Sequence, residues 1–271
     1  MTSPRPGATR ARSGRAAGRR AAAPRTAAAL LTLVALPLAA CGDTGGDASA
    51  QEQTLTVLAA ASLTDVFELV ADDFEADHPG VTVEQSFAAS STIVAQVNEG
   101  APADVIALAG LPTLEPLAAE HRHGEVAELA TNALQLAVPP DNPAGVRGVE
   151  DLTDPGLRLV VCAEQVPCGA ATATLFETLS IAPAIASYEP DVRATLTKVE
   201  LGEADAGIVY RTDVAAAGDR VLGIDLPDDV NVVTTYPILT VSDAALAQAF
   251  VDEVMSPRGQ QHLADTGFGP P

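Results

Sequence analysis

Leu55-Thr56-Val57-Leu58-Ala59-Ala60-Ala61-Ser62-Leu63-Thr64-Asp65 is the stretch from which the fold is read. An apolar run ends at Ser62, and beyond it Val66, Phe67, Leu69, Val70 and Phe74 recur at helical spacing. Ser62-Leu63-Thr64-Asp65 also has the S-x-x-D pattern of a helix start. A strand over 54–61 therefore delivers a hydroxyl and unpaired backbone N–H groups to the start of a helix over 63–76. Such a terminus carries a partial positive charge and suits an anion. An ordinary capped helix of an α/β protein gives the same pattern. The recurrence of the arrangement at Ala88-Ala89-Ser90-Ser91-Thr92, after an alternating strand over Val81–Phe87, favours a site.

Outward from these two turns, strands and helices keep alternating. The pattern predicts a helix from Ser90 to Glu99, a strand over 104–109, a short helix over 112–120 and a strand over 133–138. A strand over 157–162, a helix over 169–179, a helix over 191–201 and a strand over 206–210 follow. Short strands at 221–224, 230–234 and 236–241 precede closing helices near 243–255 and 257–266. This order argues for largely parallel α/β sheets.

The first forty residues read as a sorting signal. Seven arginines, from Arg5 to Arg25, precede the uncharged run Thr26–Ala40, which is short for a membrane span. Leu38-Ala39-Ala40-Cys41 resembles a bacterial lipobox in which Cys41 takes the lipid and becomes the mature N-terminus. A structural cysteine after an ordinary signal is the plainer alternative. Residues 1–40 are then the signal peptide and 41–53 a polar, Gly-rich tether. The 231 residues after the signal hold 8 basic against 36 acidic side chains, a net charge of −28. That balance disfavours nucleic acid and anionic lipid surfaces as partners.

Cys162 and Cys168, in C-A-E-Q-V-P-C, form a disulfide by default outside the cytoplasm, with Pro167-Cys168-Gly169 supplying the turn. A redox or metal site is the other reading, although the spacing is not C-x-x-C and no third ligand is evident. Enzyme motifs are missing: there is no G-x-S-x-G, P-loop, G-x-G-x-x-G or H-E-x-x-H. A secreted hydrolase with Ser62 or Ser90 as nucleophile would need a nearby His, and none of the four lies in a donor-rich turn.

A-A-A-S-L-T, S-F-A-A-S-S-T, G-A-P-A-D-V, V-P-C-G, D-V-R and G-I-V-Y, in this order, resemble the molybdate-binding proteins of bacterial ABC transporters over residues 54–269. The resemblance implies a two-lobed type II periplasmic-binding-protein fold, with mostly parallel sheets, flanking helices and a ligand cleft between lobes. It places lobe one at 54–132 plus 238–271 and lobe two at 133–237. The oxyanion donors carried over are Ser62 and Ser90 (hydroxyl and N–H), the backbone N–H of Cys168, that of Val192, and the Tyr210 phenol. Cys168 stands where the family motif V-P-A-G has Ala, which keeps the N–H but adds a sulfur. The implied ligand is molybdate or tungstate held through these residues, with no direct metal ligand and no cofactor. Sulfate on the same fold is the alternative. The implied partners are a membrane permease and its cytoplasmic ATPase, with a lipid-anchored, extracytoplasmic, monomeric binding protein.

The chemistry fits such a ligand. Fully deprotonated tetrahedral dianions only accept hydrogen bonds, so a selective pocket needs donors and no carboxylate turned toward the ion. Two Ser, one Tyr and backbone amides satisfy that without Lys or Arg.

Overall fold

The computed structural model describes residues 52–271. The signal 1–40, Cys41 and most of the 41–53 tether lie outside the described residues. Strand β1 (Gln53–Ala60) runs through a 3-10 turn at Ala61–Leu63 into helix α1 (Thr64–Asp77). It is flanked on both edges by parallel strands, β2 (Val81–Ala88) and β3 (Val105–Ala107). Between these two lies helix α2 (Ser90–Asn98). β1 is apolar without alternation because both of its faces are covered. Leu55, Val57 and Ala59 pack with α1 and with the last two helices, α6 (Ala245–Met255) and α7 (Pro257–Asp265). Leu58 faces the other way, onto Ile93, Val94 and Val97 of α2.

Phe67 and Phe74 of α1 meet Phe250 of α6 edge to face, with ring centroids 6.0 and 5.3 Å apart. Each such side chain contributes roughly 1.5–3 kcal/mol by burial, and the edge-on geometry adds to it. β2 is an edge strand, and its i-e-i-e burial matches the alternation of V-T-V-E-Q-S-F.

One long strand ties this sheet to a second one. β4 (Ala127–Val138) pairs antiparallel with β9 (Val233–Thr240) over Ala127–Ala133. From Leu134 onward it pairs instead with β7 (Ala206–Tyr210) and β8 (Leu222–Asp225). β5 (Leu159–Cys162) lies parallel between β7 and β6 (Ile185–Glu189). The full order is β2-β1-β3-β9-β4-β7-β5-β6, with β8 beside β4. Helices α3 (Pro167–Leu179), α4 (Val192–Glu200) and α5 (Arg211–Ala217) flank the second sheet. Its core is separate from the first, built on Leu134, Leu136, Leu159, Leu175, Leu196 and Ile208. Among the described residues no helix is long and apolar enough to cross a membrane.

The parallel ladders expected from the alternation are the outer ones. The sheets are mixed, because β4 and β9 run antiparallel to every neighbour they have. The helix expected over 112–120 is replaced by 3-10 turns at Leu111–Leu114 and Ala119–His121. Pro112 and Pro116 deny that segment the N–H groups a helix needs. The strands expected at 230–234 and 236–241 are one strand, β9, with Pro237 inside it. β6 and α5 were not expected at all. β4 begins six residues before its expected start, since a bulge between Glu128 and Ala130 breaks its alternation.

Candidate functional site

Six strand ends meet at one cavity. Its walls are Ala60, Ala61 and Ser62 after β1, Ala88, Ala89 and Ser90 after β2, and Ala109 after β3. From the second sheet come Val166, Pro167 and Cys168 after β5, Asp191 and Val192 after β6, and Tyr210 at the end of β7. Ligands of open α/β sheets bind beyond the carboxyl ends of strands, which is where all of these lie. The cavity volume is about 20 Å³, little more than the roughly 10–15 Å³ that a single water needs. It suits a small ion.

All five residues expected from the sequence, Ser62, Ser90, Cys168, Val192 and Tyr210, line this cavity. Ser90, Cys168 and Val192 occupy the first turns of α2, α3 and α4. First-turn amides have no acceptor in their own helix, and these three have no backbone partner elsewhere among the described residues. The local sequence explains the turns. Pro167 starts α3 at no cost, because a helix's first residue needs no N–H. Gly169 is required next to Cys168, since a Cβ there would stand 1.9 Å from the Ala163 carbonyl oxygen. Cys162 and Cys168 are joined in a disulfide with Cα atoms 5.7 Å apart, pinning that turn to the end of β5.

The hydroxyls are arranged to donate. Ser90 Oγ accepts from the Ala109 N–H at 2.8 Å, which leaves its own proton free. Ser62 Oγ is 2.8 Å from the Tyr236 hydroxyl. Asn132 Nδ2, a donor only, is 3.5 Å from that same hydroxyl and 2.8 Å from Thr212 Oγ1. Donation from Asn132 to Tyr236, and from Tyr236 to Ser62, leaves the Ser62 proton to point into the cavity. Tyr210 is 1 % exposed and its hydroxyl makes no well-directed hydrogen bond. Thr234 and Tyr236 lie near enough to oppose, in part, the rise in pKa that burial imposes on it. It stays protonated, a donor without an acceptor. Tyr210 and Tyr236 meet edge to face at 6.1 Å.

One carboxylate does line the cavity, contrary to the donor-only expectation. Asp191 is the N-cap of α4 and its Oδ1 accepts from the Ala194 N–H at 2.8 Å. Its charge is engaged with the helix start rather than left for a ligand. Neither serine has a histidine partner; their contacts are Tyr236 and the Ala109 amide. Among the described residues no group of three or more His, Cys, Asp or Glu could hold a metal ion.

Behind the cavity sits Arg193, which sequence reasoning quoted within D-V-R without assigning. Its Nε donates to the Ala61 carbonyl at 3.3 Å, and its guanidinium pairs with Asp65. The same Nε stands 3.1 Å from Asp213 Oδ1, near enough for an ion pair but not aligned as a hydrogen bond. Asp213 Oδ2 accepts from the Tyr210 N–H at 3.1 Å. Burial pushes the Asp213 carboxyl up to about 7, although Arg193 and the Tyr210 amide pull it down. Tyr236 and the wall alanines were also missed. Tyr236 lies 174 residues from Ser62, so no local pattern links them.

Known proteins place this arrangement. A family profile described as bacterial extracellular solute-binding protein matches residues 55–269. The molybdate-binding protein ModA of Mycobacterium tuberculosis is 36% identical over 243 residues, covering 86% of this chain and 93% of that one. Among solved structures, the substrate-binding domain of a putative molybdenum ABC transporter from Clostridium difficile is similar with a TM-score of 0.61 and 23% identity. It covers 80% of this chain and 99% of its own. The sulfate-binding protein SubI from M. tuberculosis is similar with a TM-score of 0.72 and 19% identity, covering 80% and 87%. These two structural likenesses speak for the two-lobed type II fold.

Proposed function

Because the chain belongs to the bacterial extracellular solute-binding proteins, and with 36% identity to the molybdate-binding group, we propose that its cavity captures molybdate. Tungstate, with the same charge and shape, is the second natural ligand. The protein is a binding protein for an ABC importer and not an enzyme. We assign the oxyanion to Ser62, Ser90, the N–H groups of Cys168 and Val192, and the Tyr210 phenol. We assign the lobes to 54–132 plus 238–271 and to 133–237. The change of partners of β4 between Ala133 and Leu134 supports the boundary at 132/133, whereas β9 pairs within the first sheet from Val233 onward.

The observation that carries the reading is the convergence of donors, with no cation, on a small cavity whose one carboxylate, Asp191, is engaged with its own helix start. A dianion there accepts from the hydroxyls and free amides on the wall. Hydrogen bonds to a charged group are worth roughly 1.5–3 kcal/mol each, so several of them offset the loss of hydration. The overall negative charge does not oppose this at contact distance, since salt screens it beyond about 8–10 Å. Contacts from both lobes favour the closed state, because only closure completes the donor set.

Sulfate is the competing ligand, because the fold is shared with a sulfate-binding protein and the same donors serve either ion. Calorimetric titration of the ligand-free protein with molybdate, tungstate, sulfate and phosphate tests the reading. Molybdate and tungstate should bind tightly and phosphate poorly, since protonated phosphate brings a donor that finds no acceptor. Equal binding of phosphate and molybdate counts against the assigned donors.

The extracytoplasmic location follows from the family. We extend it to a lipid on Cys41 anchoring a monomer beside the permease. Cys41→Ala should release the protein from membranes, and equal retention of both forms refutes the anchor.

A further inference from the structure

Arg193 occupies an unusual position with respect to the cavity. It follows Val192, which lines the cavity, but its own side chain is not part of the wall. There it donates to the Ala61 carbonyl and pairs with Asp65, both in the β1–α1 connection of the first sheet. The partner on its own side is Asp213, which is fully buried. Among the described residues, and outside strands β4 and β9, these two contacts are the side-chain hydrogen bonds and ion pair that join the halves. Arg193 thereby touches the supports of three assigned donors. Ala61 precedes Ser62, Val192 precedes Arg193 itself, and Asp213 holds the Tyr210 amide.

We propose that Arg193 is a latch that fastens the closed cleft without touching the ligand, and that Asp65 is its keeper on the opposite half. The idea rests on reading the cavity as an oxyanion site. Asp213 holds the guanidinium on its own half whether the cleft is open or shut. Asp65 and the Ala61 carbonyl reach it only on closure, so these contacts favour the closed state alone. A ligand sealed behind the latch leaves only after it parts. The latch therefore governs dissociation more than association. Asp65 is 48% exposed, which limits the effect to that of a partly solvated pair.

Stopped-flow exchange of bound molybdate, run on the full mature chain, provides the test. Asp65→Asn removes the cross-cleft pair while leaving Arg193 on Asp213. It should raise the dissociation rate roughly two- to fivefold with little change in association. Rising salt should speed dissociation from the unsubstituted protein and lose that effect in Asp65→Asn. In an Arg193→Gln background, Asp65→Asn should add nothing further. A folded Asp65→Asn with the original rate and salt dependence overturns the latch, as does a full effect in the Arg193→Gln background. If the unsubstituted protein binds none of the oxyanions, the reading of the cavity fails instead. The latch is then decided by X-ray scattering of the ligand-free proteins. A larger radius of gyration in Asp65→Asn supports it, and an unchanged one refutes it.

Discussion

The hydroxyl oxygens of Ser62 and Tyr236 lie 2.8 Å apart, although 174 residues separate them in the chain. Tyr236 sits on β9, which pairs with β3 and with the first half of β4, the strand shared by both sheets. A donor of the cavity is thus oriented by a strand that lies beside the one shared by both sheets. Tyr236→Phe should keep the packing with Tyr210 and Phe268 but release the Ser62 hydroxyl. Losing one neutral hydrogen bond of about 0.5–1.5 kcal/mol should weaken molybdate binding about 2- to 12-fold by calorimetry. Unchanged affinity would mean that Ser62 orients itself.

Ser90→Ala and Tyr210→Phe each delete a hydroxyl donor from opposite halves. Each should weaken molybdate by roughly 10- to 150-fold, the equivalent of a charge-assisted bond of about 1.5–3 kcal/mol. Tyr210→Phe should leave ligand-free melting nearly unchanged or higher, because its hydroxyl has no well-directed partner to lose. The rise in melting temperature on adding molybdate should shrink in both. Two mutants that bind molybdate as tightly as the parent would show the wrong pocket.

Asp213 gives a signature in pH. Its carboxyl is raised from 3.8 to about 7, chiefly by burial, with Asp65 and Asp191 pushing the same way. The folded protein therefore retains a proton that the unfolded chain releases between those values. The stability this confers is complete below pH 4 and is lost as pH rises through 7, at no more than about 1.4 kcal/mol per pH unit. Denaturant melts from pH 4 to 8 should show that fall, and Asp213→Asn should flatten it. An identical slope in both proteins would place the titration elsewhere.

Reduction of Cys162–Cys168 is expected to cost binding before it costs folding. The enclosed loop is short, so its chain-entropy effect is below the roughly 3 kcal/mol of a fifteen-residue loop. The bond instead holds the turn that presents the Cys168 amide. Titration of reduced, alkylated protein should give weaker molybdate binding with secondary structure intact by circular dichroism. Undiminished affinity would assign the disulfide to stability alone.

Much of this was legible because it was local. The run into Ser62 reports a strand covered on both faces, and Ser90, Cys168 and Val192 each sit where a strand gives way to a helix. What was illegible had one of two causes. Some elements lack their expected period: the bulge at Glu128/Ala130 hides half of β4, α5 starts directly on the end of β7 with no punctuation, and β6 is a half-exposed edge strand of five residues. The rest is long-range. Nothing near Arg193 announces Asp65, 128 residues away, and nothing near Ser62 announces Tyr236. The carboxylate of Asp191 was readable as a helix cap, yet its place on the cavity wall follows only from where the strand ends meet.

Five alanines, Ala60, Ala61, Ala88, Ala89 and Ala109, make up much of the cavity wall. A methyl group is the smallest side chain that can still be trimmed or extended by one heavy atom without disturbing a backbone donor. The polar machinery and the bore of the site are consequently written at different positions. Descendants of this sequence can shift from one ion radius to another by exchanging alanine for glycine or serine, one step at a time, while every intermediate keeps its full complement of donors.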